Sequence, residues 1–259
     1  MKVSICIPAY EMHGKGATYM EKLLLSIKGQ TYTNYEVIVS DQSANEDVRK
    51  ICVRWSDELC LRYLTCQDRG NSSINANNAI AAATGAVIKV IHQDDLLYSN
   101  SCLATIVEAL EAHPHQMWGV CRFVLTDEEG QQLDRYWTPF YNPDILFRNT
   151  IGVPSVLFYR ASGPTTEKFD PRLIYMNDSE LYYRLYCTHG EPLVIGETLV
   201  AVRLWSGQVT HTMITKTVKR KEILHLMRKH GGNACMSVLK EVALRCVGKR
   251  RPDLSEGAV

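Results

Sequence analysis

The first hundred residues switch repeatedly between two hydrophobic periods, and that switching leaves few folds open. Val3, Ile5 and Ile7 belong to a short apolar run that Pro8 is expected to stop. Met20, Leu23, Leu24 and Ile27 then recur at i, i+3, i+4 and i+7, the stripe of an amphipathic helix. This helix is expected to open at Thr18, with Glu21 three residues on in the capping-box position. "YEVIVSD" reads as a second strand of fully buried type ending at Asp41, and Val48, Ile51, Cys52 and Trp55 repeat the helical stripe. "LRYL" supplies a third strand, and "SSINANNAIAAATG" a helix of small residues closed by Gly85 as its C-terminal cap. "VIKVI" is a fourth strand, and Leu103, Ile106, Val107 and Leu110 a further stripe. Strands apolar on both faces, alternating with helices, imply a parallel sheet covered on both sides.

Beyond about residue 115 the alternation weakens. "WGVCRFVLTDEEGQQLDRYW" reads as a hairpin turning at Asp127–Gly130. "NPDILFRNTIGVPSVLFY" reads as a short helix, a loop and a strand. "NDSELYYRLYCTHG" is a helix with Leu181, Arg184 and Leu185 at helical spacing, ending at Gly190. "EPLVIGETLVAVRLW" is expected to give two short strands. From about Thr215 two helical stretches flank "HGGN", the first bearing Lys216, Lys219, Arg220, Lys221, Arg228 and Lys229. The expected division is 1–115, 116–212 and a helical extension over 213–259. There is no internal repeat and no low-complexity segment.

Composition removes several function classes. A net charge of +1 over 259 residues gives no bulk attraction to nucleic acid. No apolar run approaches the roughly 20 residues of a membrane-spanning helix, and "MKVSICIPAY" reads as a strand rather than a signal peptide. The nine cysteines lack CxxC pairing, and Cys6, Cys52 and Cys102 occupy apolar positions. They are expected to be reduced, in a cytoplasmic setting, with no zinc site. The basic stretch near the end fits either a solvated helix face or peripheral docking on an anionic membrane. Oligomeric state is not encoded in any of these patterns.

Chemistry is expected at the carboxyl ends of the parallel strands, where open α/β sheets form their ligand crevice. Two strands end there on acids: Asp41, and the adjacent pair Asp94 and Asp95. Each alone also suits a turn or a helix cap. Adjacent carboxylates repel unless paired or metal-bound, and oxygen ligands suit Mn2+ or Mg2+ together with substrate phosphates. The usual phosphate cradles are missing. There is no GxxxxGK[ST], and "HGKG" lacks the third glycine of a dinucleotide fingerprint.

"VSICIPAYE", "SIKGQTYTNYEVIVSDQSANED", "ANNAIAAATGAVIKVIHQDDLL" and "YMNDSELYYRL", in that order and spacing, resemble family two glycosyltransferases of the GT-A fold over roughly residues 1–205. The resemblance implies an α/β fold with a mostly parallel central sheet flanked by helices. A small mixed acceptor-side sheet and a helical tail complete the expected architecture. It implies an inverting, metal-dependent enzyme moving one sugar from a nucleotide-diphospho-sugar, a UDP-sugar favoured, to a saccharide or lipid-linked acceptor. Cell-surface polysaccharide or glycan biosynthesis would be its setting.

By the same resemblance, Pro8, Ala9 and Tyr10 border the nucleotide, and Asp41 accepts a hydrogen bond from its base. Gln42 stands where the family often has a second acid. Gly70 and Asn78 fit the loop and helix before the metal motif. The common Ala-Arg-Asn reads Ala76, Asn77, Asn78, so a diphosphate-contacting arginine is missing. Asp94 and Asp95 match the last two acids of an Asp-x-Asp-Asp stretch and carry the metal, with His92 in place of the first. Asp178 falls on the aspartate of the family's Glu-Asp pair, the general base, with Asn177 replacing the glutamate. An attacking hydroxyl needs a nearby carboxylate to take its proton; from the residues alone, Asp178 equally suits a cap for the following helix. Pro154 and Ser155 are candidates for lining the acceptor pocket, and Arg203, Trp205 and His211 for closing over the donor. Asp68 and Arg69 either flank the nucleotide or form a surface pair. Glu180, on another helical face from Asp178, is read as structural.

Two rivals remain at this level. A sugar-nucleotide pyrophosphorylase also joins a parallel sheet to a metal, but "PAYEMHGKGA" is a poor match to its Gly- and Arg-rich loop. A non-catalytic nucleotide- or carbohydrate-binding scaffold would explain the loss of acids at His92 and Asn177.

Overall fold

The apolar runs of the first hundred residues form β1 (Val3–Ala9), β2 (Tyr35–Asp41), β3 (Leu61–Thr65) and β4 (Val87–Val90). They do so in a computed structural model describing residues 1–163, 167–208 and 214–232. β1 and β4 are buried at every position, as strands covered on both faces must be. The intervening helices are α1 (Gly16–Lys28), α2 (Asp47–Trp55) and α3 (Ser72–Ala81), and α4 (Cys102–Ala112) follows the two-residue β5 (Leu96–Leu97).

The second half adds β6 (Trp118–Thr126), β7 (Gln132–Trp137), β8 (Leu157–Arg160), α5 (Asn177–His189), β9 (Leu193–Arg203) and α6 (Lys216–His230). All nine strands share one sheet in the order β3-β2-β1-β4-β8-β6-β9-β5, with β7 beside β6. The first four are parallel, β8 runs antiparallel to both β4 and β6, and β6 and β9 are parallel. The second-half strands, expected as a small mixed sheet, therefore continue the parallel sheet through β8. One core joins the halves, from Val3 in β1 to Leu226 in α6.

Several boundaries move for local reasons. β1 continues one residue past Pro8 because β4 pairs no further than Cys6, so the end of β1 has a ladder partner on the β2 side alone. α1 starts at Gly16 rather than Thr18. A tight turn over Met12–Gly14 brings the chain round, and a Cβ at Gly16 would lie 2.4 Å from the Tyr10 carbonyl. Glu21 forms no capping box and pairs instead with Arg54 of α2. α3 ends at Ala81, and Gly85 is pressed against β1, its amide donating to Ser4 Oγ at 2.8 Å. "NPDILF" folds into successive turns rather than a helix. "LVIGETLVAVR" is one strand: Ile195 pairs with Cys121 and Thr198 with Arg122, so Gly196 and Glu197 bulge without breaking it. The helical stretch expected after "HGGN" lies outside the described residues.

The hairpin turn holds as expected, the Asp127 amide donating to the Gln131 carbonyl at 2.9 Å. α5 closes at Gly190, whose carbonyl accepts from Trp118 Nε1 at 2.9 Å, while the Trp118 ring stacks on Tyr182. Cys6, Cys52, Cys66, Cys102 and Cys121 are free and buried, and burial pushes the Cys52 and Cys121 thiols up to about 12. They pack as small hydrophobes.

Candidate active site

Parallel pairing brings Ala9 level with Asp41, and the chain leaving β4 on the same rim turns at once through His92–Asp95, closed by the Asp95 amide donating to the His92 carbonyl. His92, Asp94 and Asp95 place one ligand atom each within 4.8 Å of one another. The two acids are held by different neighbours. Asp94 Oδ2 accepts from Trp205 Nε1 at 2.9 Å. Asp95, 3% exposed, accepts from the Ser155 hydroxyl at Oδ2 and from the Arg203 amide at Oδ1 (3.1 Å). Burial first, and the charge of Asp94 second, push Asp95 up to about 8. Burial pulls the His92 imidazole down, favouring its neutral, lone-pair form. Two repelling acids and a neutral imidazole within this spacing are a donor set that a divalent cation fits.

Arg203 and Trp205, expected in a closing segment, are built into this floor. The Arg203 guanidinium is buried, donates to the Asp94 carbonyl at 3.0 Å and lies 4.6 Å from the centre of the Tyr19 ring. Trp205 packs edge-on against Tyr19. Ser155, expected to face an acceptor, is fully buried: besides reaching Asp95, it accepts the His92 amide at 2.9 Å. Pro154 opens the short turn that delivers it. His211 lies outside the described residues.

At the end of β2, where the nucleotide is expected, Asp41 is 2% exposed. Its Oδ1 accepts from the Ser43 amide at 2.9 Å and its Oδ2 from the Tyr63 hydroxyl at 2.8 Å. Pro8 and Ala9 are buried at the end of β1, and the Tyr10 amide donates to Gln93 Oε1 at 3.0 Å. Asn78 Nδ2 donates to Ser40 Oγ at 3.0 Å, and Asn75 bridges Ser40 and the Ala9 carbonyl. Asn77, standing where an arginine is expected, makes a reciprocal pair with the Phe169 backbone, both bonds 2.8 Å. Gly70 adopts φ +79°, and Asp68 and Arg69 form no ion pair among the described residues.

Asp178 occupies the first turn of α5, whose N-cap is Met176, so it is not the capping residue. Its Oδ2 accepts from Asn149 Nδ2 at 2.8 Å and its Oδ1 from the Ser179 amide at 2.6 Å. Burial nevertheless pushes it up to about 7. Asn149 Oδ1 also accepts the amides of Ile151 and Gly152, while the Tyr182 hydroxyl donates to the Val153 carbonyl at 3.0 Å. The loop from Asn149 to Ser155 thus runs from the partner of Asp178 to the partner of Asp95. Asn177 Nδ2 donates to Ser73 Oγ of α3 at 3.0 Å, and Glu180 is buried in ion pairs with Arg184, Lys229 and His230.

Residues 4–162 match the sequence model of Glycosyl transferase family 2. The chain belongs to that family. It is 23% identical over 241 residues to the uncharacterized glycosyltransferase RP339 of Rickettsia prowazekii, covering 85% of this chain and 70% of that one. S. aureus TarS 1–349, solved in complex with UDP-GlcNAc, superposes with TM-score 0.65 at 16% identity over 88% of this chain and 67% of that one. The mannosyltransferase PcManGT of Pyrobaculum calidifontis, solved with GDP-Man and Mn2+, gives 0.57 at 15% identity over 93% and 75%. The fold is therefore GT-A, and the chain is a glycosyltransferase; the pyrophosphorylase and scaffold readings fall.

Family membership makes the polar residues that sequence reading passed over easier to place. Gln93 sits inside the His92–Asp95 turn yet faces α1, donating to the Gly16 carbonyl at 2.6 Å. Asn149 precedes Gly152 in a loop, where an asparagine signals a turn, but nothing local tied it to Asp178. Asn75 stands three residues before the expected Asn78 in a helix of small residues, a signal that one buried face needed polar partners.

Proposed function

We propose that this glycosyltransferase transfers one sugar, with inversion, from a nucleotide-diphospho-sugar to an acceptor hydroxyl, and that it depends on a divalent metal. The donor lies across the carboxyl rim, its base beside Asp41 and the ends of β1 and α3, its diphosphate toward Asp94. Asp94 and Asp95 would hold Mn2+ or Mg2+, with His92 as a third donor within reach. When bound, the cation neutralises charge on the departing nucleoside diphosphate. Asp178 takes the proton of the attacking hydroxyl as that oxygen approaches the anomeric carbon, and Asn149 keeps the carboxylate aimed. The work divides between residues 1–115 for the donor and 116–212 for the acceptor and base, with α6 packed behind them.

The observation that carries this reading is the state of Asp178. A partly buried carboxyl raised to about 7, on a helix first turn and tied by one loop to the acidic rim, has the basicity a general base needs at neutral pH. A UDP-sugar and a GDP-sugar are the first donors to test, since the two solved relatives carry one of each. The acceptor class is a saccharide or lipid-linked hydroxyl. In a thermal-shift screen, one nucleotide-sugar should stabilise the protein more with Mn2+ than without it. Asp178→Asn should then abolish turnover of that donor and leave its binding intact. Retained turnover would remove Asp178 from the mechanism.

A further inference from the structure

α6 is mostly polar and is fastened to the body of the protein by charged side chains. Leu226 is its one buried apolar residue, with Ile223 and Met227 only partly covered. Glu222, 4% exposed, accepts four hydrogen bonds from consecutive backbone amides. Its Oε1 takes Ile174 N at 2.7 Å and Tyr175 N at 3.2 Å, and its Oε2 takes Tyr175 N at 3.2 Å and Met176 N at 2.9 Å. Asp178 lies two residues further on.

The same helix also grips the strap that leads into α5, residues 169–177, and α5 itself. His225 and Lys229 reach Asp170 at 2.8 and 2.6 Å, and Lys229 and His230 reach Glu180 at 2.8 and 3.1 Å. A buried carboxylate is costly unless donors surround it, and here the donors are amides that no side chain of the strap satisfies. Met176, as N-cap, offers no capping oxygen. α6 supplies from outside what the local sequence lacks.

We infer that Glu222 is a positioning residue for the transfer reaction, fixing residues 174–176 so that α5 begins where Asp178 meets Asn149. This rests on Asp178 being the base. The general principle is that a displacement of about 1 Å at a catalytic group lowers turnover by about 100-fold without touching the substrate. Burial is what chiefly raises the proton affinity of Asp178, and the charge of Glu222, acting through space from α6, adds a smaller push in the same direction. Glu180 faces Arg184, Lys229 and His230 instead.

The test compares Glu222→Ala and Glu222→Gln with wild type in the full chain. Hydrolysis of whichever of UDP-GlcNAc or GDP-mannose the wild type turns over is followed with Mn2+, and binding of UDP or GDP by calorimetry. Glu222→Ala should lower kcat by about 100-fold with KM and nucleotide affinity within about twofold. Glu222→Gln, which keeps one acceptor oxygen and the side-chain length, should recover part of the loss and serves as the probe if the alanine variant does not fold. Unchanged kcat in a folded variant overturns the proposal, and so does a parallel loss of nucleotide affinity. Asp178→Asn run alongside separates the two readings. If it retains activity, the base assignment fails; if it is dead while Glu222→Ala is fully active, only the positioning role fails.

Discussion

Replacing Asp178 by asparagine removes a carboxyl that the fold holds against its preference for water, and the consequence for stability can be worked out with its sign. Burial raises Asp178 from 3.8 to about 7, although Asn149 and the Ser179 amide both donate to it. Between about pH 4 and pH 7 the unfolded chain has released this proton while the native protein keeps it. The native state then binds more protons than the unfolded one, so this group's contribution to stability falls with rising pH across that window and levels off above about 7. One pH unit of displacement is worth about 1.4 kcal/mol. The group therefore makes the wild type less stable above pH 7 than at pH 4 by about 4 kcal/mol. Asparagine titrates nowhere in the range and keeps an oxygen for Ser179. In the difference between Asp178→Asn and wild type, the other titrating groups cancel. The variant should gain on the wild type by about 4 kcal/mol between pH 4 and pH 7, and by nothing more above it. Urea denaturation of the protein without donor or metal, at half-unit pH steps, reads this directly. A stability difference that does not change with pH, or that shrinks as pH rises, would refute the assignment of a raised, partly buried carboxyl at position 178.

Three further outcomes follow from the same geometry. Because the base must be ionised, kcat/KM should rise about tenfold per pH unit on the acid side and flatten near pH 7; a plateau already reached at pH 5 contradicts the raised Asp178. Ser155→Ala strips Asp95 of its hydroxyl donor and the His92 amide of its acceptor. It should cost about 1–3 kcal/mol in denaturation and weaken Mn2+ binding about 10- to 100-fold by calorimetry, and an unchanged denaturation midpoint would show that the hub carries no energy. Gly119→Ala would set a Cβ 2.6 Å from the Leu193 carbonyl and 2.4 Å from the Phe158 ring, between β6, β8 and β9. Since backbone cannot yield there, a loss of about 1–3 kcal/mol is expected, and a neutral variant would mean the β6–β9 pairing is looser than drawn.

The parallel half of the sheet was legible because its signals are local. An apolar run and a 3.6-residue stripe each declare themselves within a dozen residues, and strands that run parallel must bring Asp41 and Asp94 to one rim. The floor of the site was not legible, because its partners are far apart in sequence. Trp205 reaches Asp94 across 111 residues, Ser155 reaches Asp95 across 60, and Glu222 reaches Met176 across 46. The family resemblance places Arg203 and Trp205 in a segment that closes over the donor. Their burial follows from a need the sequence does not display, namely that two adjacent acids each require separate donors once they leave water.

Asn77 shows how a departure from a family pattern can be structural. The expected arginine at that position would face the donor diphosphate. Here the side chain both donates to the Phe169 carbonyl and accepts the Phe169 amide. Guanidinium offers donors alone, so an arginine would leave that amide without its acceptor. Asn71 and Ser73 of the same stretch each donate one bond, to the Pro171 and Leu173 carbonyls, and Ser73 in turn accepts from Asn177. Asn71, Ser73 and Asn77 thus form one polar edge of α3 that docks the strap from Phe169 to Asn177, one residue short of Asp178, while Asn75 and Asn78 face β1 and β2. Glu222 grips that strap from α6, α3 grips it from the nucleotide side, and the acid at its end is held between them. The missing arginine is then a sign of how this chain positions its candidate base, not of a site losing its activity.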